Sequence, residues 1–438
     1  MEYLIAILLA VVLGVLIYFF RCFRYVGLKR NVFVMLFSLK LLAGVGVYLI
    51  YTHYYNPEMS DIHKFYRGGL ALYGAADDNF SDYLRLVSGI QGDQPQLEKY
   101  YIATEHWTRK FDYGLYNDNR TIMRFNAVVC LVSQGNIFVH IVIMAFLSFI
   151  GCFVLFKSFS KLIKINKYLL LFAAFLIPSC WFWTSGLLKE GLMMLAVGFA
   201  FYFLIKLYEK LNIWYLLGFV LSCALMFLSK IYVLPAFLPA VFFLFVSKKM
   251  KIKYQLVTFF SILVVSCVLV LFSGKILGYD IISTLSGKQN DFINYIELQD
   301  DPGSQYDLTR LKPDVVSFIK IIPEGLINSF FRPFPSEVNS IFMLFCFLEI
   351  VIFCLVVVFM IIFFKKPDKY TLRFILFFAM FVLFLYVVIG VYTPNTGSIV
   401  RYRTPALPFL FVMLFAMIDW ERVVRFSNRI LMRKDIRE

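Results

Sequence analysis

Apolar residues in this chain run in long blocks rather than alternating. The blocks fall at about 3–20, 32–51, 138–156, 168–184, 188–205, 213–229, 232–247, 254–273, 340–364, 371–391 and 404–419. A helix that crosses a bilayer needs roughly 20 mostly apolar residues, and it must satisfy its backbone internally because the hydrocarbon core holds no water. The pattern therefore predicts an all-α integral membrane protein with about eleven transmembrane helices. The connection between 168–184 and 188–205 is so short that a re-entrant hairpin is an equal reading there. Residues 1–20 carry Glu2 and no basic residue ahead of the apolar run. That stretch reads as a retained helix rather than a cleaved signal.

Composition narrows the class. Of 438 residues, 61% are hydrophobic, 19% aromatic and 16% charged, whereas soluble domains run near half apolar and a quarter charged. A soluble enzyme, a disordered chain and a disulfide scaffold are excluded as expectations. The net charge is +15; in a membrane protein such a surplus reports orientation, because Lys and Arg stay on the cytoplasmic side. The short segments 21–30, 157–167, 206–210, 248–253 and 365–373 and the tail from 421 together carry 24 Lys and Arg. The intervening short connections carry only Lys189, Lys230, Arg401 and Arg403. An N-terminus outside and a C-terminus in the cytoplasm follow from this alternation. Two long loops, 52–137 and 274–339, then face outward. They hold ten acids against eight bases and nine against six. Stretches 62–73 and 121–132 in the first loop are amphipathic, and Asp301, Pro302, Gly303, Pro313, Pro333 and Pro335 punctuate the second. The chain reads as one polytopic domain over 1–438.

Three constellations carry candidate chemistry. Directly after the second apolar block come Asn56, Glu58, Asp61, His63 and Arg67. A carboxylate at the membrane border can take a proton from an incoming hydroxyl; the local sequence alone favours the plainer reading of Asp61 and Glu58 as solvated acids or caps of a helix beginning near Ile62. Asp61 and His63 would supply two metal ligands, with no third or fourth evident, so no metal site is assigned and a divalent cation is left open. Lys189 and Glu190 lie between two apolar blocks, as a polar cavity, an ion pair or a snorkelling turn. Lys230, Arg332 with Glu337, and Arg401 with Arg403 form the cationic set. All fall on the outer face in this topology. Convergent cations are what a phosphate leaving group needs; anchoring to lipid head groups, or pairing with the acidic loops, is the plain alternative. Lys40 and Glu349 lie inside spans. The basic tail, 422–437, reads as a topology signal and lipid contact, not a nucleic-acid site.

Together these features resemble the polytopic membrane glycosyltransferases of the GT-C class, in particular bacterial relatives that use polyprenyl-phosphate sugars. The resemblance rests on Asp61 in a first long outer loop, the aromatic-Ser-Gly-x-x-Lys-Glu turn at 183–190, the Arg-Pro-Phe-Pro-x-Glu stretch at 332–337 and the Arg-Tyr-Arg-x-Pro stretch at 401–405. It implies a GT-C-like fold in a bacterial inner membrane and an inverting sugar transfer at the outer face. It makes Asp61 the catalytic base, Lys230, Arg332, Arg401 and Arg403 the donor-phosphate contacts, and His63, Lys189, Glu190 and Glu337 supporting polar groups. The partners implied are a lipid-linked sugar donor, a saccharide, lipid or protein hydroxyl acceptor, and membrane lipids, with no cofactor assigned, a divalent cation left open, and no nucleic acid. A surface-polysaccharide polymerase or ligase shares this chemistry; a transporter or flippase of lipid-linked saccharide does not.

Overall fold

The computed structural model describes residues 2–58, 60–104, 107–108, 113–276, 278–298 and 304–434, and only the backbone of 342 and 429–434. The predicted breaker at Asp301, Pro302 and Gly303 and the last residues of the basic tail lie outside that set. Among the described residues the chain is all-helical, with two isolated β-bridges and no strand. Seven helices are long and apolar enough to cross a membrane: α1 (Glu2–Phe19), α2 (Arg30–His53), and further along the chain Ile137–Leu162, Lys189–Glu209, Ile252–Leu271, Ile341–Ile362 and Lys369–Tyr392. The chain is an integral membrane protein by this measure. The remaining apolar blocks are helical but shorter, broken or bent.

Two compact units divide the chain, 1–155 with 174–235 and 156–173 with 236–438. In the first, α1 and α2 are followed by α3 (Asp61–Tyr73) and α4 (Asn119–Ser133). Both predicted amphipathic stretches are thus helices, and they pack on each other. Then come α5 (Ile137–Leu162), whose carboxyl end belongs to the second unit, the short helix Pro178–Trp183, α6 (Lys189–Glu209) and α7 (Ile213–Ser229). The block at 168–184 is not one helix. It runs as Lys167–Leu171, a wider π turn over Phe172–Leu176, and a restart with Pro178 at the first helical position, where a missing N–H costs nothing. Within this unit α5 and α6 approach backbone to backbone at Gly151 and Gly198, where any side chain would collide with the facing main chain.

The second unit holds α8 (Val233–Ser247), α9 (Ile252–Leu271), α10 (Ile281–Glu297), α11 (Val315–Phe331), α12 (Ile341–Ile362), α13 (Lys369–Tyr392), α14 (Thr396–Tyr402), α15 (Leu407–Ala416) and α16 (Trp420–Lys434). Local chemistry marks most starts: Asp280, Asp314, Ser340, Asp368 and Asn395 each accept a backbone N–H of the helix they precede. α13 is the hub, packing against α9, α10, α11, α14 and α15. Gly325 of α11 and Gly390 of α13 meet with no room for a side chain on either. The block at 404–419 is helical only over α15, and α15 is bent by 67° from the preceding α14 around Arg403, Thr404 and Pro405. The proline cannot continue the ladder, and the bend carries Arg403 inward.

Candidate functional site

Asp61 is the first residue of α3, and Ser60, not Asp61 or Glu58, precedes it as the N-cap. The expectation of a helix starting near Ile62 holds, but the acid lies inside it, partly exposed, where the positive end of the helix favours a carboxylate. One turn on, Phe65 is buried, so the helix presents Asp61 at its rim and anchors through the residue below. His63 lies on another side. Its Nε2 is 2.9 Å from Thr52 Oγ1, whose single hydrogen goes to the carbonyl of Tyr48 at 2.8 Å. Thr52 must therefore accept, which assigns the proton of the neutral ring to Nε2. Burial, and then the nearby Arg67 charge, push the His63 pKa below the usual histidine value. Asp61 and His63 do not form part of a metal cluster: among the described residues, no group of three or more His, Cys, Asp or Glu could hold a metal ion.

The stretch 183–190 gathers around Lys40. Thr184 and Ser185 accept hydrogen bonds from the buried Lys40 ammonium at 2.7 and 3.4 Å, and Ser148 of α5 accepts a third at 2.8 Å. Each hydroxyl sends its own hydrogen elsewhere: Ser148 to Thr184, Thr184 to the Cys180 carbonyl, Ser185 to the Trp181 carbonyl. Three acceptors thus meet the three donors of an ammonium, and Lys40 fastens α2 to α5 and to the 183–190 turn. Gly186 follows because a Cβ there would lie 2.6 Å from Val47 Cγ1. Lys189 and Glu190 do not pair with each other. Lys189 donates to Asp118 and Asn119, both at 2.9 Å, and its ammonium stands 5.5 Å from the centre of the Phe65 ring on α3. Glu190 pairs with Lys230 at 2.9 Å, with both side chains buried. Of the cations expected to hold phosphate, Lys230 is thus engaged inside the first unit.

Beneath α3 runs a second polar chain. Asn126 Nδ2 donates to the Phe65 carbonyl, so its Oδ1 faces His140 Nδ1 at 2.9 Å, and Ser133 Oγ stands 2.8 Å from His140 Nε2. Every member is buried. The chain braces α3, α4 and α5 against one another, and it holds the helix that carries Asp61.

In the second unit Arg403 is 1% exposed, and its guanidinium gives Nη2 to Glu349 at 2.8 Å and Nη1 to the Arg332 carbonyl at 2.9 Å. Arg332 ends α11. Its Nε donates to Asn328 Oδ1 at 2.8 Å, it pairs with Glu337, and its guanidinium lies 3.6 Å from the centre of the Tyr306 ring. Arg401, in the last turn of α14, is partly exposed. The 332–337 and 401–405 stretches therefore meet through Arg403, and Glu337 serves Arg332.

Asp118 is the residue that sequence reading missed. It sits in a long loop, partly buried, and only its partner, Lys189, was conspicuous. Comparison with protein-family models, with curated proteins and with solved structures finds no match to this chain.

Proposed function

We propose that this protein is a membrane glycosyltransferase that moves a sugar from a polyprenyl-phosphate donor to a hydroxyl acceptor at the outer face of a bacterial inner membrane. In this reading the apolar blocks make about eleven spans in a GT-C-like arrangement, the N-terminus lies outside and the C-terminus in the cytoplasm. Asp61 takes the acceptor proton as the acceptor oxygen bonds to the sugar's anomeric carbon. The bond from that carbon to phosphate oxygen breaks, the phosphate leaves with the electron pair, and the configuration inverts. Outer-face cations stabilise the leaving phosphate. Lys230 and Arg403 are already held by buried carboxylates.

The observation that carries the reading is the seating of Asp61. It sits partly exposed at the amino end of α3. That helix is gripped from below by Lys189 over Phe65 and by the Asn126–His140 brace. A general base needs this combination of a partly exposed carboxylate and a fixed backbone. Asp61→Asn is expected to lower transfer from a polyprenyl-phosphate sugar by at least roughly 10²-fold while leaving expression and membrane insertion unchanged. Wild-type rates in purified Asp61→Asn protein would defeat the assignment.

A polymerase or ligase of surface polysaccharide differs only in acceptor. The transport reading is favoured by one observation, the buried ionisable groups Lys40 and Glu349–Arg403 within apolar helices. Movement of a lipid-linked saccharide across proteoliposomes without sugar transfer would select it.

A further inference from the structure

The α1–α2 hairpin has a feature that sugar transfer does not use. α1 packs through Ala6, Leu9, Ala10 and Leu13 against Val139 and Val142 of α5. On its other side, Val11, Gly14, Val15, Tyr18, Val34 and Met35 line an open, mostly apolar groove of about 550 Å³ between α1 and α2, inside the roughly 300–1,000 Å³ range of small-ligand clefts. Gly14 forms its floor: a Cβ there would find only Val34 Cγ1, at 4.0 Å.

The groove runs toward the connection between the two helices, and that connection is cationic. Arg21, Arg24, Lys29 and Arg30 lie within ten residues, and no Asp or Glu occurs anywhere between Glu2 and Glu58. None of the four takes part in an ion pair among the described residues. The Arg30 guanidinium stands 5.7 Å from the centre of the Tyr18 ring, which itself lines the groove, so a cation is fixed at the groove's end. An apolar trough closed by uncompensated positive charge matches a lipid: acyl chain along the trough, phosphate at the cations.

We propose that the α1–α2 groove is a binding site for an anionic phospholipid. Hydrocarbon gains little by leaving bulk lipid for an apolar groove, because the two are equally apolar. Selectivity must then come from the head group, which commits the site to charge rather than chain length. The site is independent of Asp61 and of sugar transfer.

The test uses the full-length protein released from membranes in mild detergent, with phosphatidylglycerol and phosphatidylcholine of identical chains as probes and native mass spectrometry as the readout. Phosphatidylglycerol is expected to be retained at least roughly fivefold over phosphatidylcholine, the contribution of a single Lys or Arg near a membrane surface. The preference should vanish when Arg21, Arg24, Lys29 and Arg30 are all changed to Gln, and survive when the three arginines are changed to Lys. Gly14→Leu, which extends into open space, should reduce retention of the anionic lipid without unfolding the hairpin. Equal retention of the two lipids by the wild type, or a preference that outlasts both the Gln variant and Gly14→Leu, would overturn the proposal.

Discussion

Two buried ion pairs, one in each unit, look alike by distance and differ in what holds them. Glu190–Lys230 closes at 2.9 Å and Glu349–Arg403 at 2.8 Å, with all four side chains nearly inaccessible. Lys230 is a point charge capping α7, paired with Glu190 and 5.9 Å from the centre of the Tyr232 ring. Arg403 spreads a planar fork. One arm meets Glu349; the other takes the carbonyls of Arg332 and, at 3.4 Å, Ser329 at the end of α11. Those carbonyls lie where a helix leaves its last acceptors unmatched, so the guanidinium both neutralises a buried acid and finishes a helix. A buried charge inside an apolar block is thus not by itself a sign of a ligand site. In both units the charges are answered from within the chain.

The comparison breaks most easily at Arg403. Arg403→Ala removes the ion pair and the two carbonyl bonds and strands Glu349, so a loss of about 3–5 kcal/mol is expected in reversible unfolding in detergent. Arg403→Lys should recover only part of it, because an ammonium cannot span Glu349 and both carbonyls. Full recovery by Lys would show that charge alone matters there and would erase the distinction from Lys230.

Lys230→Met is expected to cost less, roughly 3 kcal/mol, through the acid it leaves behind. Adding Glu190→Leu should return most of that loss, since an apolar replacement of a buried pair is often neutral. If the double variant stayed as unstable as the single, the pair would be tied into more than its own charge, as the second unit's is.

How far the sequence reveals these pairs depends on how local each one is. Spans were legible because the need for about 20 apolar residues acts residue by residue along the chain, and α3 and α4 were legible because amphipathic spacing is local too. Breaks were not: 168–184 reads as one helix, the block at 404–419 is helical only over Leu407–Ala416, and only three-dimensional packing chose the π turn before Pro178 and the 67° bend between Tyr402 and Leu407. Partners were less legible still. Lys189 and Glu190 stand side by side, yet each is matched to a residue about 70 or 40 positions away. The hydroxyls around Lys40 lie more than 100 positions from it. Charge marks the residue that must be satisfied, and the fold alone decides what satisfies it.

The smallest effect belongs to His63, on α3 outside the apolar spans, and it sharpens the contrast between charges that are neutralised internally and groups that stay open to titration. Its folded pKa is lowered, first by burial and then by Arg67. The unfolded chain therefore takes up a proton near the ordinary histidine value of about 6.5, before the folded protein does. In that window the unfolded state binds more protons, so stability falls as pH drops below about 6.5 toward the lowered folded value. Above that window the neutral ring is present in both states, and its hydrogen bond to Thr52 is intact. His63→Gln keeps a donor for Thr52 and removes the titration. The difference in unfolding free energy between wild type and His63→Gln should therefore shrink or reverse against the wild type on going from pH 7.5 to pH 5.5. A difference that stayed flat across this range would mean the ring has the same proton affinity folded and unfolded. The amino end of α3 would then be as open to water as any surface loop, and the rigid seat required for Asp61 would be lost with it.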